Sequence, residues 1–154
     1  MFDLIIRGDR VVTPHGLGAW DIAVKGDKIA ALAAPNTLDD DAAKRVIDAT
    51  GKIVMPGGID PHVHCAWHIP ALEEGSEPTY TAPPSVVSRA ALYGGTTTMI
   101  DFASGEAGDT IQQMVENRDK EWVDRCYCDF AYHIMLRGDV PPPIVEEVGE
   151  AVQD

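Results

Sequence analysis

The sequence predicts an α/β chain, with short strands filling the first third and strands alternating with helices from Pro56 onward. Three observations carry this. Short apolar runs punctuated by Gly-Asp turns occupy residues 1–55, apolar residues at three- and four-residue spacing mark three later segments, and β-branched or apolar runs separate those segments.

Leu4-Ile5-Ile6 and Val11-Val12 flank Arg7-Gly8-Asp9-Arg10, and Ile22-Ala23-Val24 and Ile29-Ala30-Ala31-Leu32 flank Lys25-Gly26-Asp27-Lys28, so a small antiparallel sheet is expected. The Arg-Gly-Asp tripeptide invites an adhesive reading, but it stands where a hairpin needs a Gly-Asp turn and is read as that turn. Asp39-Asp40-Asp41 reads as a solvated loop, and Val46-Ile47-Asp48 and Ile53-Val54-Met55 as two further short apolar runs.

From Pro56 the period changes. Ile59 to His64 is expected to be a strand, Pro84 to Tyr93 a helix with Pro in its first turn and Gly94-Gly95 as its stop, and Thr96 to Phe102 a β-branched strand. Asp109 and Gln112 have capping-box spacing. Ile111, Met114, Val115, Arg118 and Trp122 then line one face of a second helix, with Arg118 reaching its head group into water. Tyr127 to Leu136 supplies a third strand, and after Pro141-Pro142-Pro143 the residues Ile144, Val145, Val148, Ala151 and Val152 mark a third helix. Such alternation implies a parallel sheet with right-handed crossovers. A (β/α)8 barrel typically needs about 250 residues, so three βα units form an open arc whose two edges need a partner.

With 45% hydrophobic residues the 154-residue chain has enough apolar surface for a core. Twenty-five acidic residues against twelve basic ones give a net charge of −13, which repels phosphate backbones and anionic headgroups, so neither nucleic acid nor membrane is expected as a partner. The N-terminus lacks the basic start and apolar run of a secretion signal, and the chain is read as cytoplasmic. Cys65, Cys126 and Cys128 are an odd count, the latter two would lie on one face of a strand, and all three are read as small buried thiols rather than a disulfide framework.

The chemistry concentrates in Gly57-Gly58-Ile59-Asp60-Pro61-His62-Val63-His64. On a strand, residues i and i+2 share a face, so His62 and His64 can converge on one metal ion while Val63 packs the other way. A bare His-x-His is weak evidence, more often two hydrogen-bonded histidines than a metal site. Asp60 falls on the same side, either supporting the pair or accepting loop amides. Asp101 and His133, near strand ends, are read as structural hydrogen-bonding groups.

Met55 to His64 resembles the first-strand signature of the amidohydrolase superfamily. Gly94-Gly95-Thr96-Thr97-Thr98-Met99-Ile100-Asp101-Phe102 and Asp129-Phe130-Ala131-Tyr132-His133 are similar to the second and third strand segments of its hydantoinase/dihydropyrimidinase family. The resemblance runs from end to end and identifies an N-terminal portion of such a protein. It implies that residues 1–55 are strands of a composite β-sandwich and that 56–154 begin a (β/α)8 barrel, incomplete in this chain. It further implies two zinc ions bridged by a carboxylated lysine, with His62 and His64 as metal ligands, and opening of a hydantoin or dihydropyrimidine ring to an N-carbamoyl amino acid.

The bridging lysine of the family lies on the fourth strand, whereas Lys25, Lys28, Lys44, Lys52 and Lys120 all precede or sit beside the third. The resemblance places it a few residues beyond Asp154, so this chain is expected to hold at most half of the ligand set, no catalytic residue, and no activity alone. Cys65, Trp67 and His68 follow the pair and are expected at the substrate pocket, Trp67 and His68 alternatively as loop anchors. Dihydroorotases follow the same pair with an arginine that grips a carboxylate. Cys65-Ala66-Trp67-His68 has none, which favours uncharged rings. Relatives are usually tetramers, so a homo-oligomer or the remainder of the barrel is the expected partner. Two other readings compete: a non-catalytic scaffold paralogue of the same fold, and a free-standing metal-binding module.

Overall fold

The computed structural model describes all residues except 72–74, 76, 107, 139, 141 and 152–154. It divides into two compact units, Met1–Pro56 and Gly57–Asp154.

The first unit contains β1 (Leu4–Thr13), β2 (Gly16–Lys25), β3 (Lys28–Ala33), β4 (Val46–Asp48) and β5 (Ile53–Val54). Its sheet runs β3-β2-β1-β4, with β5 also on β1. It is mixed rather than antiparallel, because β4 and β5 both pair parallel to β1. The segment between β3 and β4, which carries the short helical turn Asp40–Ala42, is long enough to return the chain in the direction of β1.

The expected turn at Arg7-Gly8-Asp9-Arg10 is also absent: β1 continues through it and absorbs the irregularity as a bulge between Gly8 and Val11. A side chain at position 8 would meet Val11 Cγ2 at 2.6 Å, which is why glycine stands there. Arg7 turns its guanidinium to the buried Asp21 at 2.9 Å, to the Leu38 carbonyl at 2.7 Å and to Asp40. The acidic run is therefore not wholly solvated, since Asp40 serves as one counterion of Arg7.

The second unit contains β6 (Gly58–Asp60), the small hairpin β7 (His68–Ile69) and β8 (Thr79–Tyr80), α1 (Pro84–Tyr93), β9 (Thr96–Ala103), α2 (Ile111–Trp122), β10 (Asp129–Ile134) and α3 (Pro142–Ala151). β10, β9 and β6 form a parallel sheet in that order, with no closed barrel among the described residues. Helix α1 has Pro84 in its first turn and ends at Gly94, whose N–H reaches the Ala90 and Ala91 carbonyls.

The capping box of α2 lies one residue later than expected: Thr110 accepts from the Gln113 amide at 3.1 Å, and Gln113 Oε1 accepts from the Thr110 amide at 2.9 Å. Asp109 instead accepts from the Glu106 amide, tightening the preceding loop. Both pairs have the same spacing, so spacing alone could not choose between them. Ile111, Met114 and Trp122 are buried as the periodicity predicts.

Arg118 departs from expectation, turning inward onto Asp101 because that carboxylate is wholly buried and needs a cation. β10 is shorter than expected: Asp124 (φ 60°) turns the chain after α2, leaving Cys126 and Cys128 ahead of the strand with Sγ atoms 3.7 Å apart. The core joins Cys65, Met99 and Trp122, packed by Val63, Val87, Phe130 and Tyr132 among others. No helix among the described residues is long and apolar enough to cross a membrane. Pro141 and Val152, expected around the third helix, lie outside the described residues.

Candidate functional site

Strand β6 ends at Asp60, short of the expected His64, because Pro61 has no N–H for the ladder. Alignment with β9 nevertheless resumes, since the Val63 N–H donates to the Ile100 carbonyl at 3.0 Å. Alternation along this extended segment turns Val63 toward the core and leaves His62 and His64 exposed together. Asp60 Oδ1 accepts the His62 amide at 3.2 Å, so Asp60 acts on the backbone of the pair.

The two imidazoles meet at Nε2, 3.2 Å apart, with ring centroids 5.0 Å apart and planes nearly perpendicular. At a Zn–N distance of about 2.0–2.1 Å, two nitrogens on a tetrahedral ion stand about 3.3–3.4 Å apart. The observed separation matches that edge, and nitrogen donors suit zinc. It also suits a direct hydrogen bond between one protonated and one unprotonated Nε2, which holds the pair without an ion. No group of three or more His, Cys, Asp or Glu residues gathers for a metal among the described residues. The pair thus supplies two donors, half of a tetrahedral set.

Phe102, at the end of β9, forms the platform under the pair: its ring lies 4.6 Å from that of His62 and stacks on His64 at 5.0 Å. Trp67 meets His64 from another side at 4.7 Å, edge-on. Thr81 Oγ donates to the His64 carbonyl at 2.7 Å and accepts from the Trp67 amide at 2.8 Å. His133, on β10, contacts Phe102 and places Nε2 2.9 Å from the Pro61 carbonyl, where it donates as the Nε2–H tautomer and anchors the loop rather than joining the pair. The histidine pair, Phe102 and His133 lie at the C-terminal ends of the parallel strands β6, β9 and β10, where such sheets present ligand sites, and Trp67 and Thr81 come from the β7–β8 hairpin region beside them.

Trp67 and His68 line a cleft of about 270 Å³ together with Tyr80, Phe102 and Arg118. Cys65 does not join them. Only 1% exposed, it packs against Met99 and Trp122, and burial pushes its thiol up to about 12. A larger cavity of about 570 Å³, between the start of α2 and α3, shares no lining residue with this cleft.

Phe102, Thr81 and Arg118 were not singled out as site residues from the sequence. Phe102 ends a segment whose β-branched pattern speaks only of a strand, Thr81 lies in a loop without pattern, and Arg118 occupies a helix face where a solvated head group is the ordinary outcome.

The Amidohydrolase family model matches residues 45–134. The chain is 33% identical over 153 residues to a D-hydantoinase of Streptomyces coelicolor, covering 97% of this chain and 31% of that protein. It is 34% identical over 136 residues to the dihydropyrimidinase of Rattus norvegicus, covering 86% and 25% respectively. Among solved structures, a D-hydantoinase aligns over 100% of this chain and 31% of its own, with TM-score 0.81 and 29% identity. The dihydropyrimidinase of Brevibacillus agri aligns over the same shares, with TM-score 0.79 and 29% identity. The chain therefore spans about a third of the length of the relatives it matches most fully. With the family match covering over half of its residues and the histidine pair at the end of the first parallel strand, the chain belongs to the amidohydrolase family.

Proposed function

We propose that this chain supplies the opening strands and half of the metal-ligand set of a cyclic-amide hydrolase acting on hydantoin or dihydropyrimidine rings. The observation that carries it is the 3.2 Å approach of His62 and His64 Nε2 on one exposed face, in a chain similar to proteins named D-hydantoinase and dihydropyrimidinase. In this reading Met1–Pro56 contributes strands to a composite β-sandwich, and the three parallel strands with their helices are the first units of a (β/α)8 barrel.

His62 and His64 would hold a divalent ion, zinc by their donor type, through Nε2. Divalent ions of such sites lower the pKa of water toward neutrality and polarise the carbonyl under attack. The chain's own residues orient and exclude: Phe102 and Trp67 confine the imidazoles, while Trp67, His68 and Tyr80 wall the side where a ring would lie. Arg118 reaches the same cleft with its Nη2 held by Asp101 and the Cys65 carbonyl, which partly neutralises its charge, and an uncharged ring fits better there than a carboxylate.

The bridging carboxylated lysine and the remaining ligands belong to strands outside this chain. On its own the chain binds zinc weakly and turns over no substrate; in a cytoplasmic homo-oligomer with the full barrel it contributes to catalysis. A non-catalytic scaffold of the same fold is the second reading, and retention of both His62 and His64 favours the hydrolase over it.

Zinc titration followed through histidine resonances tests the site. His62→Ala and His64→Ala are each expected to weaken binding by about tenfold or more, and undiminished binding in the double variant refutes the assignment. Hydantoin and dihydrouracil turnover, assayed with the remaining strands supplied, separates hydrolase from scaffold.

A further inference from the structure

We infer that Asp101 and Arg118 form a buried positioning clamp that fixes the direction of the His64 imidazole and so presets the histidine pair for a divalent cation. The inference rests on the metal-ligand reading of that pair.

Asp101 is completely buried, and its two oxygens meet four donors. Oδ1 accepts from Trp67 Nε1 at 3.0 Å and from the Phe102 amide at 2.7 Å. Oδ2 accepts from the Cys65 amide at 3.1 Å and from Arg118 Nη2 at 2.5 Å. Arg118 Nη2 also donates to the Cys65 carbonyl, and the guanidinium carbon lies 5.6 Å from the Trp67 ring centroid.

The partners of this one carboxylate are the residues that surround His64. Cys65 follows it in the chain, Trp67 meets its ring edge-on, and Phe102 stacks beneath it. The ring hydrogen bond of His64 runs to His62, so the scaffold directs His64 through those two aromatic walls and its own backbone. A carboxylate serves better than an amide here because it is acceptor-only and all four groups that face it are donors. Arg118, whose side chain is 12% exposed, makes burial of the charge tolerable while reaching from α2 to the segment that carries the ligand. Asp101 and Arg118 touch no cation themselves. They act through Cys65, Trp67 and Phe102, and loss of such support for a ligand typically lowers metal affinity by about 10–100-fold.

The test uses the whole chain, with two readouts: the ring-current shift of the His64 Hε1 resonance, measured without metal, and the dissociation constant for Zn²⁺. Trp67→Phe removes the indole donor together with part of the aromatic wall beside His64, and Asp101→Asn with Arg118→Gln removes both charges. Each is expected to move the His64 resonance toward that of an unstacked imidazole and to raise the zinc dissociation constant about tenfold or more. Tyr132→Phe, which breaks the 2.9 Å Tyr132–Asp119 hydrogen bond in the same unit, is the structural control and is expected to move neither.

The clamp is overturned if the folded variants keep the wild-type His64 resonance, or if Tyr132→Phe shifts both readouts as far as they do. Should the double variant fail to fold, the zinc dissociation constant of Trp67→Phe decides, because its His64 resonance also changes with the loss of the neighbouring indole ring, and a wild-type dissociation constant in that variant overturns the clamp. A wild-type chain that binds no zinc overturns the metal reading on which the clamp rests, and the His64 resonance shows independently whether Asp101 orients that ring.

Discussion

Replacement of Gly57 by alanine tests how tightly the strand leading to the histidine pair is seated against its neighbour. A Cβ there would stand 2.0 Å from Thr97 Oγ, 2.3 Å from its Cγ2 and 2.7 Å from its Cβ. Rotation about χ1 of Thr97 can withdraw the first two atoms, though a β-branched side chain has few alternative rotamers. It cannot withdraw the third, because Cβ is fixed to the β9 backbone, and 2.7 Å is well inside carbon–carbon contact. The strands must therefore separate at the point where Gly58 pairs with Thr96.

Overpacking of this kind costs about 1–3 kcal/mol. Loss of glycine freedom in the unfolded chain returns about 0.4–1 kcal/mol, which at the middle of both ranges leaves a net loss of about 1.3 kcal/mol. Urea denaturation followed by tryptophan fluorescence measures it, since Trp122 is wholly buried in the same unit. Thr97→Gly removes all three contacting atoms, so the double variant should recover at least about 1 kcal/mol relative to additivity. A Gly57→Ala chain within about 0.3 kcal/mol of wild type, or additive behaviour of the pair, refutes the reasoning.

Three further outcomes follow from the same structure. Thr110→Ala removes the side-chain half of the α2 capping box and should destabilise by about 1 kcal/mol in urea, whereas Asp109→Ala should leave the helix cap intact; the reverse order of effects would restore the capping assignment made from spacing. Cys65, raised to about 12 by burial first and the Asp101 charge second, is a neutral thiol in the folded chain at pH 8 and should be alkylated more slowly than the less buried Cys126, as mass mapping would show; Cys128, itself pushed up to about 11 by burial and the Cys126 hydrogen bond, should also react slowly. Because the folded Cys65 thiol is harder to ionise than an unfolded one, its contribution to stability is complete below about pH 8.5 and declines as pH rises from there toward 12; unchanged alkaline stability in a folded Cys65→Ala chain relative to wild type would contradict this.

Helix α1 was legible to the residue because both its ends are punctuated locally, Pro84 by its fixed φ and Gly94-Gly95 by a turn that needs Gly95 at φ 86°. The histidine pair was legible for a similar reason: two-residue spacing in any extended segment puts both rings on one side, and this held although the regular strand stops at Asp60. The strand ends were less so. Tyr127 to Leu136 is mostly apolar, but Asp124 turns the chain and pairing with β9 covers only Asp129–Ile134.

What the sequence determined by itself was the alternation of strands and helices, the sidedness of the histidine pair and the Amidohydrolase resemblance, all of which depend on neighbours within a few positions. Tertiary structure alone decided that β4 and β5 run parallel to β1, that Arg118 points inward, and that Phe102 and Trp67 enclose His64. Those outcomes depend on partners far apart in the chain: a cation on the apolar face of a helix goes to water by default, and only a buried carboxylate 17 residues away reverses that choice.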